Sequence, residues 1–242
     1  MEIRNFQQST QIAGSAAVDM GDGILQINLA GEVGADKPIS LASVSRKLAL
    51  RDFRHLHIEI ATTGGCSREA FLIYDFLRAQ PVPVSMRAVG PCLSAGVVIF
   101  MAGDLRSASA DAEFLLHPAS LARGVLPASI TASALREHAE RLSSIDARLV
   151  DLFARRTGWY PDWFAAEQET EEPLSVCDAI NTGLVHEFDG YTVKIDATWP
   201  ERASLEASSR GVYLPPHLFT QNYYSACRCA GSLHAHTKAA VN

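Results

Sequence analysis

His55-Leu-His-Ile-Glu-Ile-Ala-Thr-Thr-Gly64-Gly65-Cys-Ser-Arg-Glu-Ala-Phe-Leu-Ile-Tyr-Asp75 decides the fold. From His55 to Ala61 apolar and polar residues alternate, the period of a strand. Two glycines then turn the chain. From about Ser67 to Ala79 the period changes, and Ala70, Phe71, Tyr74 and Leu77 form one helical stripe. Upstream, Gly23 to Gly31 alternates as a second strand, and Ile39 to Leu50 has helical spacing after Lys37-Pro38. Downstream, Pro81 and Pro83 end the helix and Val82 to Val89 reads as a third strand. Strand, helix, strand, helix, strand implies a parallel sheet with crossover helices.

Beyond that nucleus, Ser94 to Ala102 is an apolar segment, and Leu105 to Ala108 and Glu113 to Leu116 are short strands around a turn at Asp111. A helix is predicted from about Ala128 to Arg156, with Ile130, Leu135, Ala139, Leu142, Ile145, Leu149 and Phe153 on one face. Roughly 28 residues of helix would be about 42 Å long, more than one small core covers, so part is expected to pack on another subunit. Shorter helices are predicted at Trp159 to Gln168 and Ser175 to Asn181, and Tyr191 to Ile195 is strand-like. The predicted organisation is a flexible N-terminal arm over 1–20, one α/β domain over 21–190 and a partly disordered C-terminal extension over 191–242.

The chain has 242 residues, 48% of them hydrophobic and 20% charged, as in ordinary globular proteins. A net charge of −6 and a pI near 5.7 argue against nucleic acid or an anionic membrane as partner. No apolar run nears the roughly 20 residues that cross a bilayer, and the first residues lack a signal-peptide pattern, so the cytoplasm is expected. Five cysteines give no disulfide framework; Cys66, Cys92 and Cys177 read as small buried thiols. Cys227-Arg-Cys229 and His234-Ala-His236 have a spacing that zinc could use, but no patterned scaffold surrounds them, so no metal or cofactor is expected.

Three local features can carry chemistry. Ser94, in Gly90-Pro-Cys-Leu-Ser-Ala-Gly96, opens an apolar helix: either an N-cap, or a nucleophile beside unpaired N–H groups. His117 ends a core strand, either as a hydrogen-bonded structural residue or as a general base. Gly64-Gly65 is either a tight turn or a place where Gly65 N–H stabilises an oxyanion. Serine after one strand and histidine after the next can meet at one sheet edge.

Taken in order, these motifs resemble the Clp protease family. Gly64-Gly65 and Ile73-Tyr74-Asp75 resemble its Gly-Gly turn and Ile-Tyr-Asp helix. Gly90 to Gly96 resembles its Gly-x-Ala-x-Ser-x-Gly motif, and Leu116-His117-Pro118 its Ile-His-x-Pro motif. Leu174-Ser-Val-Cys-Asp-Ala179 with Gly183-Leu-Val185 resembles its Leu-Ser-Ala-x-Glu-Ala and Gly-Leu-Val. The resemblance implies a ClpP/crotonase-like α/β fold of repeated ββα units, with the long helix as a protruding handle. It implies a serine endopeptidase in which Ser94 attacks a peptide carbonyl, His117 takes the proton, and Gly64, Gly65 and Ala95 form the oxyanion and substrate-binding turn. Three residues before the Leu-Ser motif, where the family has aspartate, stands Glu171, with Glu169 and Glu172 close by. The implied assembly is a homo-oligomeric ring, a heptamer or double ring, acting on peptides or unfolded polypeptide. The N-terminal residues do not resemble the family's axial loop, which leaves an ATPase unfoldase partner open. The alternatives are a ring subunit serving as scaffold without turnover, or a crotonase-type acyl-CoA enzyme, which would need neither Ser94 nor His117.

Overall fold

The computed structural model describes residues 17–20, 23–122, 124–127, 129–174, 176–188 and 191–192. Most of the expected N-terminal arm and C-terminal extension, with Cys227, Cys229, His234 and His236, lies outside the described residues. The central sheet begins with β1 (Val18–Asp19), antiparallel to β2 (Ile24–Ala30). It continues in parallel through β3 (His55–Thr62), β4 (Val84–Leu93) and β5 (Leu105–Ala108). On β3 half-buried and buried residues alternate strictly, and Leu56, Ile58 and Ile60 are fully buried. That is the alternation read from the sequence, and it aims one face of the sheet into the core.

Helix α1 (Leu41–Leu48) is shorter than its periodic stretch because Ser40 starts it. Ser40 Oγ accepts from Ser43 N–H while Ser43 Oγ accepts from Ser40 N–H, a reciprocal cap. Helix α2 (Ser67–Arg78) buries Ala70, Phe71, Ile73 and Leu77 on the sheet. Its Glu69 accepts from Leu41 N–H at 2.7 Å, satisfying an unpaired amide at the start of α1.

Strand β4 runs four residues past Val89, where the strand was expected to end, and through the Gly90-Pro91 step. Its first half pairs with β5 and its last three residues with β6 (Glu113–Leu115), also in parallel. Proline is tolerated there because the strand changes neighbours at that step and the ladder to β3 slips. Helix α3 (Ala95–Phe100) follows and is wholly buried.

The long helix α4 spans Ala132–Thr157, and its start is fixed by Thr131, whose Oγ1 accepts from Ala134 N–H. At 26 residues it is about 39 Å long. Only its C-terminal third is buried, at Leu149, Leu152, Phe153, Arg156 and Thr157, while Leu135 is exposed. The helix therefore projects from the core, as a handle does. Gly158 ends it in the left-handed region, at φ 73°. Helix α5 (Pro161–Gln168) leads to β7 (Pro173–Leu174), antiparallel to β6; α6 (Val176–Asn181), β8 (Glu187–Phe188) and β9 (Tyr191–Thr192) complete the described chain.

Under α3, Arg106 and Arg156 are both buried, and their guanidinium groups donate to main-chain carbonyls. Arg106 Nη2 also lies 2.7 Å from His186 Nε2. Arginine has only donors, so that nitrogen must accept and the imidazole is held neutral. Burial, then the charges of Arg106 and Arg156, push the His186 pKa well below its ordinary 6.5. In the unfolded chain the ring titrates normally, so below about pH 6.5 the unfolded state binds a proton that the folded state refuses. Stability is full above that pH and falls beneath it. Urea denaturation at pH 7.5 and 5.5 should show a decline of up to about 1.4 kcal/mol per pH unit from this group. His57, also depressed by burial, adds in the same direction. His186→Gln should flatten the slope, and an unchanged slope would refute the assignment.

Candidate active site

Ser94 occupies the first position of a sharp strand-to-helix turn, with φ 56° and ψ −123°. A non-glycine residue there is strained by ~1–3 kcal/mol, and such strain persists where the surroundings hold it for a purpose. Its N–H donates to Leu115 O at 2.8 Å, which carries the β4–β6 pairing up to the turn. Though Ser94 is at the N-cap position, its hydroxyl makes no capping hydrogen bond. It lies 2.7 Å from His117 Nε2 instead. The register explains the meeting: Leu93 of β4 pairs with Leu115 of β6, so residues just beyond both strands emerge at the same edge.

The tautomer follows from the other ring nitrogen. His117 Nδ1 is 2.7 Å from Pro118 O, and a carbonyl can only accept, so Nδ1 carries the proton. In the neutral ring Nε2 is then bare and accepts from the Ser94 hydroxyl, the arrangement a general base requires.

The glycine turn closes over this pair. Val33 N–H donates to Gly64 O and Val33 O accepts from Cys66 N–H, both at 2.9 Å. In such a parallel bridge the N–H of the residue between, Gly65, faces away from Val33. Among the described residues neither Gly65 N–H nor Ala95 N–H has a hydrogen-bond partner. Both residues line the cleft that contains Ser94 and His117. Gly64 must be glycine: its φ is 94°, and a Cβ would stand 2.7 Å from the Ser94 Cβ. Thr62 braces the turn, donating to Gly31 O at 2.6 Å and accepting from Gly64 N–H at 3.0 Å.

Glu171 is not brought to His117. Its side chain is exposed and its backbone is left-handed, φ 51°. The position is not arbitrary, since β6 and β7 pair Phe114 with Leu174 and Leu115 with Pro173. Continuing that register by two residues would set Glu171 opposite His117. The ladder stops before then, because Pro173 has no N–H to extend it and Glu171 turns the chain away. Glu169 and Glu172 are exposed as well. Cys66, expected buried, is exposed at the rim beside Gly65, whereas Cys92 is buried and its thiol pKa is pushed up.

The cleft as a whole has about 90 Å³; Ser67 and Ser120 also line it, and its apolar wall is Val98 from α3 with Leu142, Ile145, Leu149 and Phe153 from α4. Those four belong to the stripe legible on the long helix. The Pro118 carbonyl carries no signal in the sequence, because a main-chain acceptor has no residue type of its own.

The comparisons with known proteins bear on the family and the fold. The Clp protease family model matches residues 26–189. The ATP-dependent Clp protease proteolytic subunit 2 of Treponema pallidum is 27% identical over 166 residues, 66% of this chain and 79% of that protein. The ATP-dependent Clp protease proteolytic subunit of Deinococcus radiodurans is 27% identical over 150 residues, 59% of this chain and 71% of that one. Among solved structures, ClpP1 from Listeria monocytogenes superposes with a TM-score of 0.54 at 20% identity, covering 68% of this chain and 93% of that one, which bears on fold alone. On a family match spanning most of its length, with a fold to suit, this chain belongs to the Clp protease family.

Proposed function

We propose that this chain is a serine endopeptidase. The observation that carries the reading is the Ser94 hydroxyl, held at a strained turn 2.7 Å from an unprotonated His117 Nε2. Ser94 Oγ forms a bond to the scissile carbonyl carbon as Nε2 takes its proton. The proton passes to the departing amine, and water reverses the sequence to free the acyl group. The N–H groups of Gly65 and Ala95 stabilise the tetrahedral oxyanion. The apolar wall that Val98 and α4 give the cleft favours substrates with a hydrophobic side chain next to the scissile bond. The exposed length of α4, with its apolar Leu135, fits packing against other copies in a ring. The relatives' description as proteolytic subunits of ATP-dependent proteases supports an ATPase partner. No described helix is long and apolar enough to cross a membrane.

A second reading, a ring subunit without turnover, is favoured by the exposure of Glu171 and by His117 Nδ1 being held by the Pro118 carbonyl instead of a carboxylate. A fluorophosphonate probe separates the two. The phosphorus should bond to Ser94 Oγ with loss of fluoride, located by peptide mass spectrometry; an intact oligomer that never labels would support the second reading. Gly65→Ala sharpens the test. A Cβ there would stand 2.2 Å from Val33 O at a φ of 143°, so the bridge and the donor must both move. Losing one oxyanion donor costs about 100- to 1,000-fold in rate. Peptide hydrolysis should fall by that much, and wild-type turnover in this variant would remove Gly65 from the oxyanion site.

A further inference from the structure

The peptide unit joining Pro118 to Ala119 is hydrogen-bonded on both sides. Its carbonyl oxygen accepts from His117 Nδ1 at 2.7 Å, and its N–H donates to Asp146 Oδ1 at 2.6 Å. Asp146 is half-buried on α4, and among the described residues no cation pairs with it. A carboxylate bound to a peptide N–H draws the amide's electrons toward its carbonyl oxygen, which then accepts more strongly. Proline at 118 restrains the main chain at this step by its fixed φ.

We propose that Asp146 is the positioning residue for His117, its charge reaching the imidazole through the Pro118–Ala119 peptide rather than by direct contact. The inference rests on the reading that His117 is the base for Ser94. It supplies what Glu171 does not: an anion that favours the imidazolium formed during acylation and keeps the ring in its working tautomer. The surroundings leave Asp146 well placed for this. The cleft on its side of Pro118 also holds Asp151 and Glu169, but Asp151 is ion-paired with Arg155 at 2.9 Å and Glu169 is exposed. The Ser94 cleft contains no described titratable side chain except His117.

Asp146→Asn tests this, because it keeps an oxygen for Ala119 N–H and removes only the charge. Asp146→Ser is a second neutral variant that also retains an acceptor. Two measurements are made on the full chain. The first is the rate of fluorophosphonate labelling against pH. The second is an NMR titration of the His117 ring in the Ser94→Ala protein, assigned by loss of its signal in His117→Ala. The neutral variants should melt as the wild type does yet label about fivefold to tenfold more slowly at pH 7, with the acid limb moved down by about half a pH unit. The His117 titration should move by the same amount in the same direction. A merely structural tether would change neither midpoint. Labelling and titration both at wild-type values overturn the proposal. If the wild type never labels, the peptidase reading fails separately, and the titration alone decides: a shifted His117 midpoint upholds the relay and an unshifted one overturns it.

Discussion

His117→Ala should slow acylation of Ser94 by about 100- to 10,000-fold, while Glu171→Gln changes it by less than about threefold. The first figure follows from the 2.7 Å approach of Nε2 to the Ser94 hydroxyl. Without the imidazole no described side chain in the cleft can take the proton, and what remains is the contribution of the oxyanion donors and of substrate binding. The second figure follows from the other face of the ring. Nδ1 is bonded to Pro118 O, and Glu171 is exposed, so neutralising its carboxylate removes nothing the imidazole feels closely. Labelling rates at saturating probe measure both. If Glu171→Gln is as damaging as His117→Ala, then β7 lengthens by two residues in the working protein. The β6–β7 register, continued, would then deliver Glu171 to His117. The two variants thus distinguish a carbonyl-held histidine from a carboxylate-held one.

This contrast shows what could be read from the residues alone. The parallel sheet was legible because β2 and β3 alternate cleanly and because Gly64-Gly65 separates a period of two from a period of 3.6. The meeting of Ser94 and His117 was legible as two residues following adjacent strands. What was hidden depended on main-chain geometry. The third strand was read as ending at Val89, before the Gly90-Pro91 step, yet β4 passes through that step by exchanging β5 for β6. The carboxylate near His117 was sought by counting back from Leu174, which gave the correct register but not the conformation of Glu171. Asp146 lies off the apolar stripe of the long helix, and its partner is an amide that any residue but proline would offer. Arg106 was read as part of a short strand, and a single sequence gives no sign that its charge is buried.

Arg106→Met should lower stability by about 3–5 kcal/mol, a large share of the roughly 5–15 kcal/mol that holds a domain of this kind. Arg106 is 1% exposed. Its Nε donates to Leu184 O at 2.8 Å, Nη1 to Gly103 O at 3.0 Å, and Nη2 to Gly183 O at 2.8 Å as well as to His186. Those acceptors come from the turn before β5 and from the segment linking α6 to β8, so the guanidinium joins two distant stretches of chain. Methionine replaces the stem but withdraws the donors from the Leu184 and Gly183 carbonyls and from His186 Nε2, each loss costing about 1–3 kcal/mol less whatever water recovers, while Gly103 O keeps Arg156 Nη2 at 2.7 Å. One release offsets part of the loss: burial, then the Arg156 charge, depresses the Arg106 pKa, and without Arg106 the two buried cations no longer oppose each other. The loss should also change the pH response. With the Arg106 charge gone His186 is easier to protonate, so the decline in stability below about pH 6.5 should be shallower in the variant. Chemical denaturation of Arg106→Met and of the exposed control Arg46→Met, each at pH 7.5 and 5.5, measures both effects. A change below about 1 kcal/mol at pH 7.5 would mean the carbonyl cluster is satisfied without the guanidinium.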